Sequence, residues 1–351
     1  MKTIATPSIR LQQPSLVARL PDFISLMKPR VTMLAVFTAF VGMTSAPREL
    51  DPLYAFVAVL AIATGAGAAG VLNMWYDADI DAIMTRTAMR PIPRGKVSKV
   101  EALVLGLVLA IAAVLLLDVA TNLAAAALLV GTILFYVVVY TAWLKRSTPQ
   151  NIVIGGAAGA LPPVVGWTAA TGDIGLEPLA LFLIIFLWTP PHFWALALNR
   201  AGDYARAGVP MLPVVSGSAA TKRQILIYSS LLVPASALPW ALGFTGAAYG
   251  TTAVICGAVL VVLALQLCRS DEADRRAAHR LFVFSITYLF VLFSALLLDH
   301  GRSPSSSMLA PQDARASAGF TRVDFLSVIF QSARDFISGK SERDLTCDTF
   351  C

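Results

Sequence analysis

The chain has 351 residues, 57% of them apolar and only 14% charged, with a formal net charge of +6 and a mean hydropathy of +0.72. Soluble domains run about 45–50% apolar and about 25% charged. A water-soluble globular domain is therefore excluded, and the bilayer is the expected solvent.

Residues 1–30 lack a long apolar core and carry Lys2, Arg10, Arg19, Lys28 and Arg30 with Asp22 as the sole acid. They read as a basic cytoplasmic segment and not a secretory signal, with a short mitochondrial presequence as the alternative. Apolar runs long enough to cross about 30 Å of hydrocarbon follow at 31–47, 53–75, 101–118, 122–143, 151–170, 178–198, 225–245, 248–268 and 280–299. The expected fold is all-α: a polytopic membrane protein with nine transmembrane helices around a central cavity, occupying residues 31–299. Gly65, Gly67 and Gly70 in the second run, and Gly155, Gly156 and Gly159 in the fifth, allow close helix packing. Pro162-Pro163 and Pro190-Pro191 free carbonyls that are tolerable only inside protein or beside a polar cavity. Residues 300–351 form a tail that opens on a Ser/Pro linker, with an amphipathic surface helix expected over 322–338. The four cysteines, Cys256, Cys268, Cys347 and Cys351, show neither metal nor redox spacing.

Charge tests the span assignment independently. With the N-terminus cytoplasmic, segments 1–30, 76–100, 144–150, 199–224 and 269–280 carry 20 Lys or Arg, and the short opposite loops carry only Arg48. That asymmetry follows the positive-inside rule, and losing one middle span would scramble it.

The second run ends in Asn73-Met-Trp-Tyr-Asp77-Ala-Asp79-Ile-Asp81. Residues four apart share a helix face, so Asn73, Asp77 and Asp81 form one polar stripe while Asp79 points elsewhere. Like charges four apart destabilise a helix, and acids near its C-terminus oppose the dipole, so this cluster calls for a cation. Carboxylates without a nearby histidine or thiol make a hard oxygen site, suited to Mg²⁺ and the phosphates it bridges. After the sixth run, Asn199-Arg200-Ala-Gly-Asp203 repeats the Asn73–Asp77 spacing. Four intervening spans return it to the same membrane face. Arg86, Arg90, Arg94, Lys145, Arg146, Arg200 and Arg206 flank the two motifs, and arginine forks match phosphate oxygens. Two facing acidic helix ends would hold a polyanion through Mg²⁺.

The stretches 73–94, 140–156, 188–198 and 203–215 resemble the intramembrane prenyltransferases of the UbiA superfamily over roughly residues 22–299. The double aspartate pattern marks the superfamily. The His192 stretch and Met211-Leu-Pro-Val-Val look specific to its haem branch. In the wider superfamily the second motif often starts with an acid, where this chain has Asn199. The resemblance implies farnesyl diphosphate and haem b as substrates and haem O as product. It implies Asp77, Asp81 and Asp203 as catalytic metal ligands for Mg²⁺, supported by Asn73 and Asn199, with Arg86, Arg90, Lys145 and Arg146 on the phosphates. Tyr136, Tyr140 and Trp143 are candidates for easing an allylic cation. Histidine commonly ligates haem iron, which makes His192 a candidate haem contact, the alternative being a core histidine with a satisfied hydrogen bond. A haem A synthase would take the product, in a bacterial inner membrane or a mitochondrial one. No nucleic-acid partner is expected. The sister activity, prenylation of a hydroxybenzoate-type quinone precursor, shares the Mg²⁺–diphosphate half. An ion-coupled transporter would need carboxylates near mid-membrane, where these spans have none.

Overall fold

The computed structural model describes residues 16–271 and 274–299, and among these every regular element is helical. Among the described residues, eight helices are long and apolar enough to cross a membrane: Pro52–Tyr76, Lys99–Ala120, Leu123–Ser147, Asn151–Thr171, Leu176–Asn199, Gly217–Ala241, Ala247–Arg269 and Arg275–Asp299. A ninth forms when Arg19–Leu26 is joined to Pro29–Thr44 across a 48° bend. These are spans one (the bent pair) to nine in chain order, and the protein is a multi-pass membrane protein. Large apolar side chains such as Leu53, Phe56, Ile111, Val119 and Ile255 lie exposed on the bundle surface, where lipid would cover them.

Local chemistry fixes the helix ends. Lys28 bends span one in the left-handed region, φ 51, where the following Pro29 disfavours a right-handed helical residue. Asp51 caps span two through Leu53 N at 2.9 Å. Ser98 and Glu101 close a capping box at the start of span three. Span five breaks at Leu161 and restarts with Pro162 in its first turn, where a missing N–H costs nothing. Residues Phe135–Leu144 of span four are π-helical, a widened, uncommon geometry that is frequent at functional sites.

Spans one to five and six to nine form two groups. Spans one and nine pack together, as do spans five and six, joining the groups. Spans one and five cross with their backbones in close approach. A Cβ on Gly166 would stand 1.9 Å from the Ala39 carbonyl oxygen, and one on Gly42 would stand 2.2 Å from that of Pro163.

Three expected starts move. With the bent pair counted as one span, span one starts at Arg19 and not 31. Span seven starts at Gly217 and not 225, and span nine at Arg275 and not 280. Both first turns are polar, and hydropathy registers only the part of a helix that faces hydrocarbon. Protein groups hold these turns: Lys222 is buried and its Nζ donates to the Ser270 carbonyl at the end of span eight, 2.8 Å away. The expected tail 300–351, with its helix at 322–338, lies outside the described residues, as do residues 1–15.

Candidate active site

Span two ends on Asp77, and the short helix Ala78–Ile83 carries Asp79 and Asp81. Asn73 and Asp77 are fully buried, and Asn73 Nδ2 donates to Asp77 Oδ2 at 2.9 Å. Lys145, at the end of span four, donates to the same oxygen at 2.5 Å. Asp77 Oδ1 is buried without a hydrogen-bond partner, its closest cation being Arg146 Nη2 at 3.7 Å. Asp81 is also buried and accepts from Arg90 Nη1 at 2.7 Å. Asp79 does point elsewhere. Its exposed carboxylate takes both Arg146 guanidinium nitrogens at 2.8 Å, and that hydrogen bonding holds its pKa down to about 2.

The second motif meets the first. Asp203, buried on the short helix Ala201–Arg206, accepts from Thr85 Oγ1 at 3.0 Å, 118 positions earlier. Arg206 Nη2 pairs with Asp203 and also donates to Thr85 Oγ1 at 2.9 Å. Asn199 does not join this site. The last turn of span six ends there, so the four-residue spacing to Asp203 runs across a break at Arg200. Its amide turns to the Arg275 carbonyl at 3.3 Å. The echo of Asn73 and Asp77 therefore holds for the aspartate and fails for the asparagine.

A cavity of about 300 Å³ opens beside the first motif, lined by Lys28, Arg30, Arg86, Arg90 and Met74 among others. Lys28 Nζ donates to Asn73 Oδ1 at 2.7 Å. With Lys145, Arg146, Arg200 and Arg206, eight cations surround four aspartates, so the site as a whole attracts a polyanion. Sequence reasoning missed Lys28, Arg30, Thr85 and Thr141. Lys28 and Arg30 did count toward the charge asymmetry, but nothing local linked them to Asn73. The two threonines carry no sequence signal.

The donors fit a hard divalent cation in one respect and limit it in another. Asp77 Oδ1 is an ionic oxygen left unsatisfied in a buried position, which is costly without a cation. Among the described residues, no three His, Cys, Asp or Glu side chains gather into a cage. Asp77, Asp81 and Asp203 thus do not form one protein-only cluster. That suits Mg²⁺, which takes one or two carboxylates and completes its shell with water and phosphate.

Tyr136 and Tyr140 stack with centroids 5.4 Å apart on the π-helical turn, and Gly155 of span five leaves room for the Tyr140 ring. Trp143 is 64% exposed, on the bundle surface, which removes it from an interior cation-stabilising role. His192 is buried between Trp188 and Phe282, its ring stacked on both at 4.3 and 4.7 Å. Its Nδ1 bonds Ser285 Oγ at 2.7 Å. Because that hydroxyl donates to the Phe282 carbonyl at 2.6 Å, it accepts from Nδ1–H and leaves the lone pair on Nε2. Among the described residues no hydrogen bond or ring contact of His192 reaches the aspartates; it sits in the packing between spans six and nine.

Comparison with known proteins agrees with this architecture. A family model described as "UbiA prenyltransferase family" matches residues 35–286. A protein named protoheme IX farnesyltransferase from Rhodopseudomonas palustris is 58% identical over 302 residues, covering 85% of this chain and 96% of its own. One of the same name from Parvibaculum lavamentivorans is 59% identical over 281 residues, covering 79% and 88%. Among solved structures, a digeranylgeranylglyceryl phosphate synthase aligns with a TM-score of 0.67 at 20% identity, covering 81% of this chain and 99% of that one. A UbiA homolog from Archaeoglobus fulgidus, bound to GPP and Mg²⁺, aligns at 0.58 and 16% identity, covering 78% and 99%. At such identities these structures speak for the fold alone.

Proposed function

This chain belongs to the UbiA prenyltransferase family, and on that premise we propose that it transfers the farnesyl group of farnesyl diphosphate to a vinyl group of haem b, giving haem O and diphosphate. The observation that carries the diphosphate half is the joining of two aspartate loops, 118 residues apart, beside a cation-lined cavity. The acceptor half rests on relatives at 58–59% identity that carry the name protoheme IX farnesyltransferase.

In this reading Asp77, Asp81 and Asp203 would hold Mg²⁺ together with water and phosphate oxygens, with Asn73 in support. Bound there, Mg²⁺ supplies neutralisation of the charge developing on the departing diphosphate. Lys28, Arg30, Arg86 and Arg90 receive the diphosphate, and Lys145 and Arg146 at the end of span four complete its surroundings. Fixed cations in a protein-walled pocket stabilise that charge without reorganising. As the C1–oxygen bond breaks, the stacked Tyr136 and Tyr140 offer their ring faces to the allylic cation. The vinyl group forms the new carbon–carbon bond at C1. The cation then left on the vinyl carbon takes hydroxide from water, releasing one proton. His192 would meet the haem iron through Nε2, with Ser285 fixing the tautomer. Asn199 has no part in the metal site in this reading, because its amide is turned to span nine.

The charge asymmetry supports an N-terminus and active site on the cytoplasmic face of a bacterial inner membrane, or the matrix face of a mitochondrial one. A haem A synthase would take the product. The test supplies membranes containing the protein with farnesyl diphosphate, Mg²⁺ and haem b, and measures haem O by mass spectrometry. Product from a hydroxybenzoate but not from haem overturns the acceptor. No product from either overturns prenyl transfer.

A further inference from the structure

We infer that Thr141 is a positioning residue that sets the orientation of the Asn73 amide and so the cation affinity of the site; this rests on the metal–diphosphate reading above. Thr141 and Lys145 are four residues apart on span four, and Asn73 and Asp77 are four apart on span two. The two pairs meet rung to rung: Asn73 Nδ2 donates to Thr141 Oγ1 at 3.0 Å, and Lys145 Nζ to Asp77 Oδ2 at 2.5 Å.

The proton directions follow from the π-helical turn. Thr141 Oγ1 lies 2.8 Å from the Tyr136 carbonyl, five residues back. A hydroxyl has one hydrogen, and a carbonyl can only accept, so that hydrogen goes to Tyr136 and the Thr141 lone pairs face Asn73. Both Asn73 N–H groups are then committed, one to Thr141 and one to Asp77 Oδ2. The amide oxygen is left facing the cationic side, where Lys28 donates to it at 2.7 Å. An asparagine amide can rotate by 180° at little cost unless its hydrogen bonds forbid it. Here the wrong rotamer would set an NH2 against the Lys28 ammonium, and an oxygen against both the Asp77 carboxylate and the Thr141 lone pairs. Thr141 and Asn73 are both buried, so water cannot replace the lost hydroxyl cheaply. The π-helical widening thus has a specific consequence: it seats a threonine hydroxyl between Tyr136 and Asn73.

The test measures Mn²⁺ binding by electron paramagnetic resonance on the purified full chain, with farnesyl thiodiphosphate as an unreactive analogue. Outer-shell partners of metal ligands typically contribute about 10–100-fold in affinity. Thr141→Val is expected to weaken Mn²⁺ binding at least about tenfold, while Thr141→Ser, which keeps the hydroxyl, stays within about threefold of the starting protein. If Thr141→Val does not yield folded protein, Thr141→Ala removes the same hydroxyl without filling its place and carries the same expectation. In an Asn73→Ala background the Thr141 substitution should lose its effect, because it acts through that amide. Unchanged Mn²⁺ affinity in the hydroxyl-less variants, equal loss in Thr141→Ser, or full additivity with Asn73→Ala would overturn the inference. Absence of Mn²⁺ binding by the unaltered protein with the analogue overturns the metal reading itself.

Discussion

Replacing Asp77 by Asn isolates the charge at the centre of the site while nearly preserving its shape. Asp77 Oδ2 accepts from both Asn73 and Lys145, so an asparagine must place its own oxygen there. Its NH2 then occupies the position of Oδ1, which has no hydrogen-bond partner and faces Arg146 at 3.7 Å. Folding loses two ion pairs, a short one to Lys145, which is 16% exposed, and one at 3.7 Å to Arg146, and gains an unsatisfied donor, which alone costs about 1–3 kcal/mol. A multi-span bundle should tolerate that. Chemistry loses more, because an NH2 cannot ligate a cation and the site gains a net positive charge. Removal of one preorganised electrostatic contact typically costs about 10²–10³ in rate, so kcat/KM should fall by at least about 10². The assay follows haem O formation by mass spectrometry, with thermal unfolding and size exclusion confirming an intact bundle. Turnover within about threefold of the unaltered protein, with the fold intact, would refute Asp77 as a metal ligand.

Thr85→Val removes the hydroxyl that joins Asp203 and Arg206 to the first loop, and should lower turnover about tenfold, as loss of a partly buried hydrogen bond to a charged group does. Thr85→Ser should recover most of it, and equal failure of both would point to packing instead. Asn199→Ala should leave turnover within about twofold, less than 0.5 kcal/mol on the barrier, since its amide faces Arg275; a larger loss would return Asn199 to the site. Gly166→Ala should destabilise by about 1–3 kcal/mol through forced separation of spans one and five, read as a lower unfolding temperature in detergent. Gly159→Ala, where nothing lies within 4 Å of the added carbon, should be neutral or stabilising by up to about 1 kcal/mol. Equal effects of the two glycine substitutions would contradict the close crossing.

The solvent, most of the span positions and the end of the bundle where the aspartates gather were legible in the chain alone. Hydropathy and helical spacing are local properties. The Asn73–Asp77 bond and the outward turn of Asp79 follow directly from four-residue periodicity on span two. That same rule misplaced Asn199, because a helix end intervenes and periodicity has no force across it. Hydropathy shortened spans seven and nine, whose polar first turns are held by contacts such as that of Lys222 with Ser270. Only the tertiary structure brought Lys28 to Asn73, Thr85 to Asp203 and Thr141 to the Asn73 amide. Such meetings depend on how each helix is rotated and how closely it approaches its neighbour. Close backbone contacts, such as Gly166 against Ala39, set that rotation and approach. No stretch of sequence contains both partners, so the packing alone turned two aspartate motifs into one site.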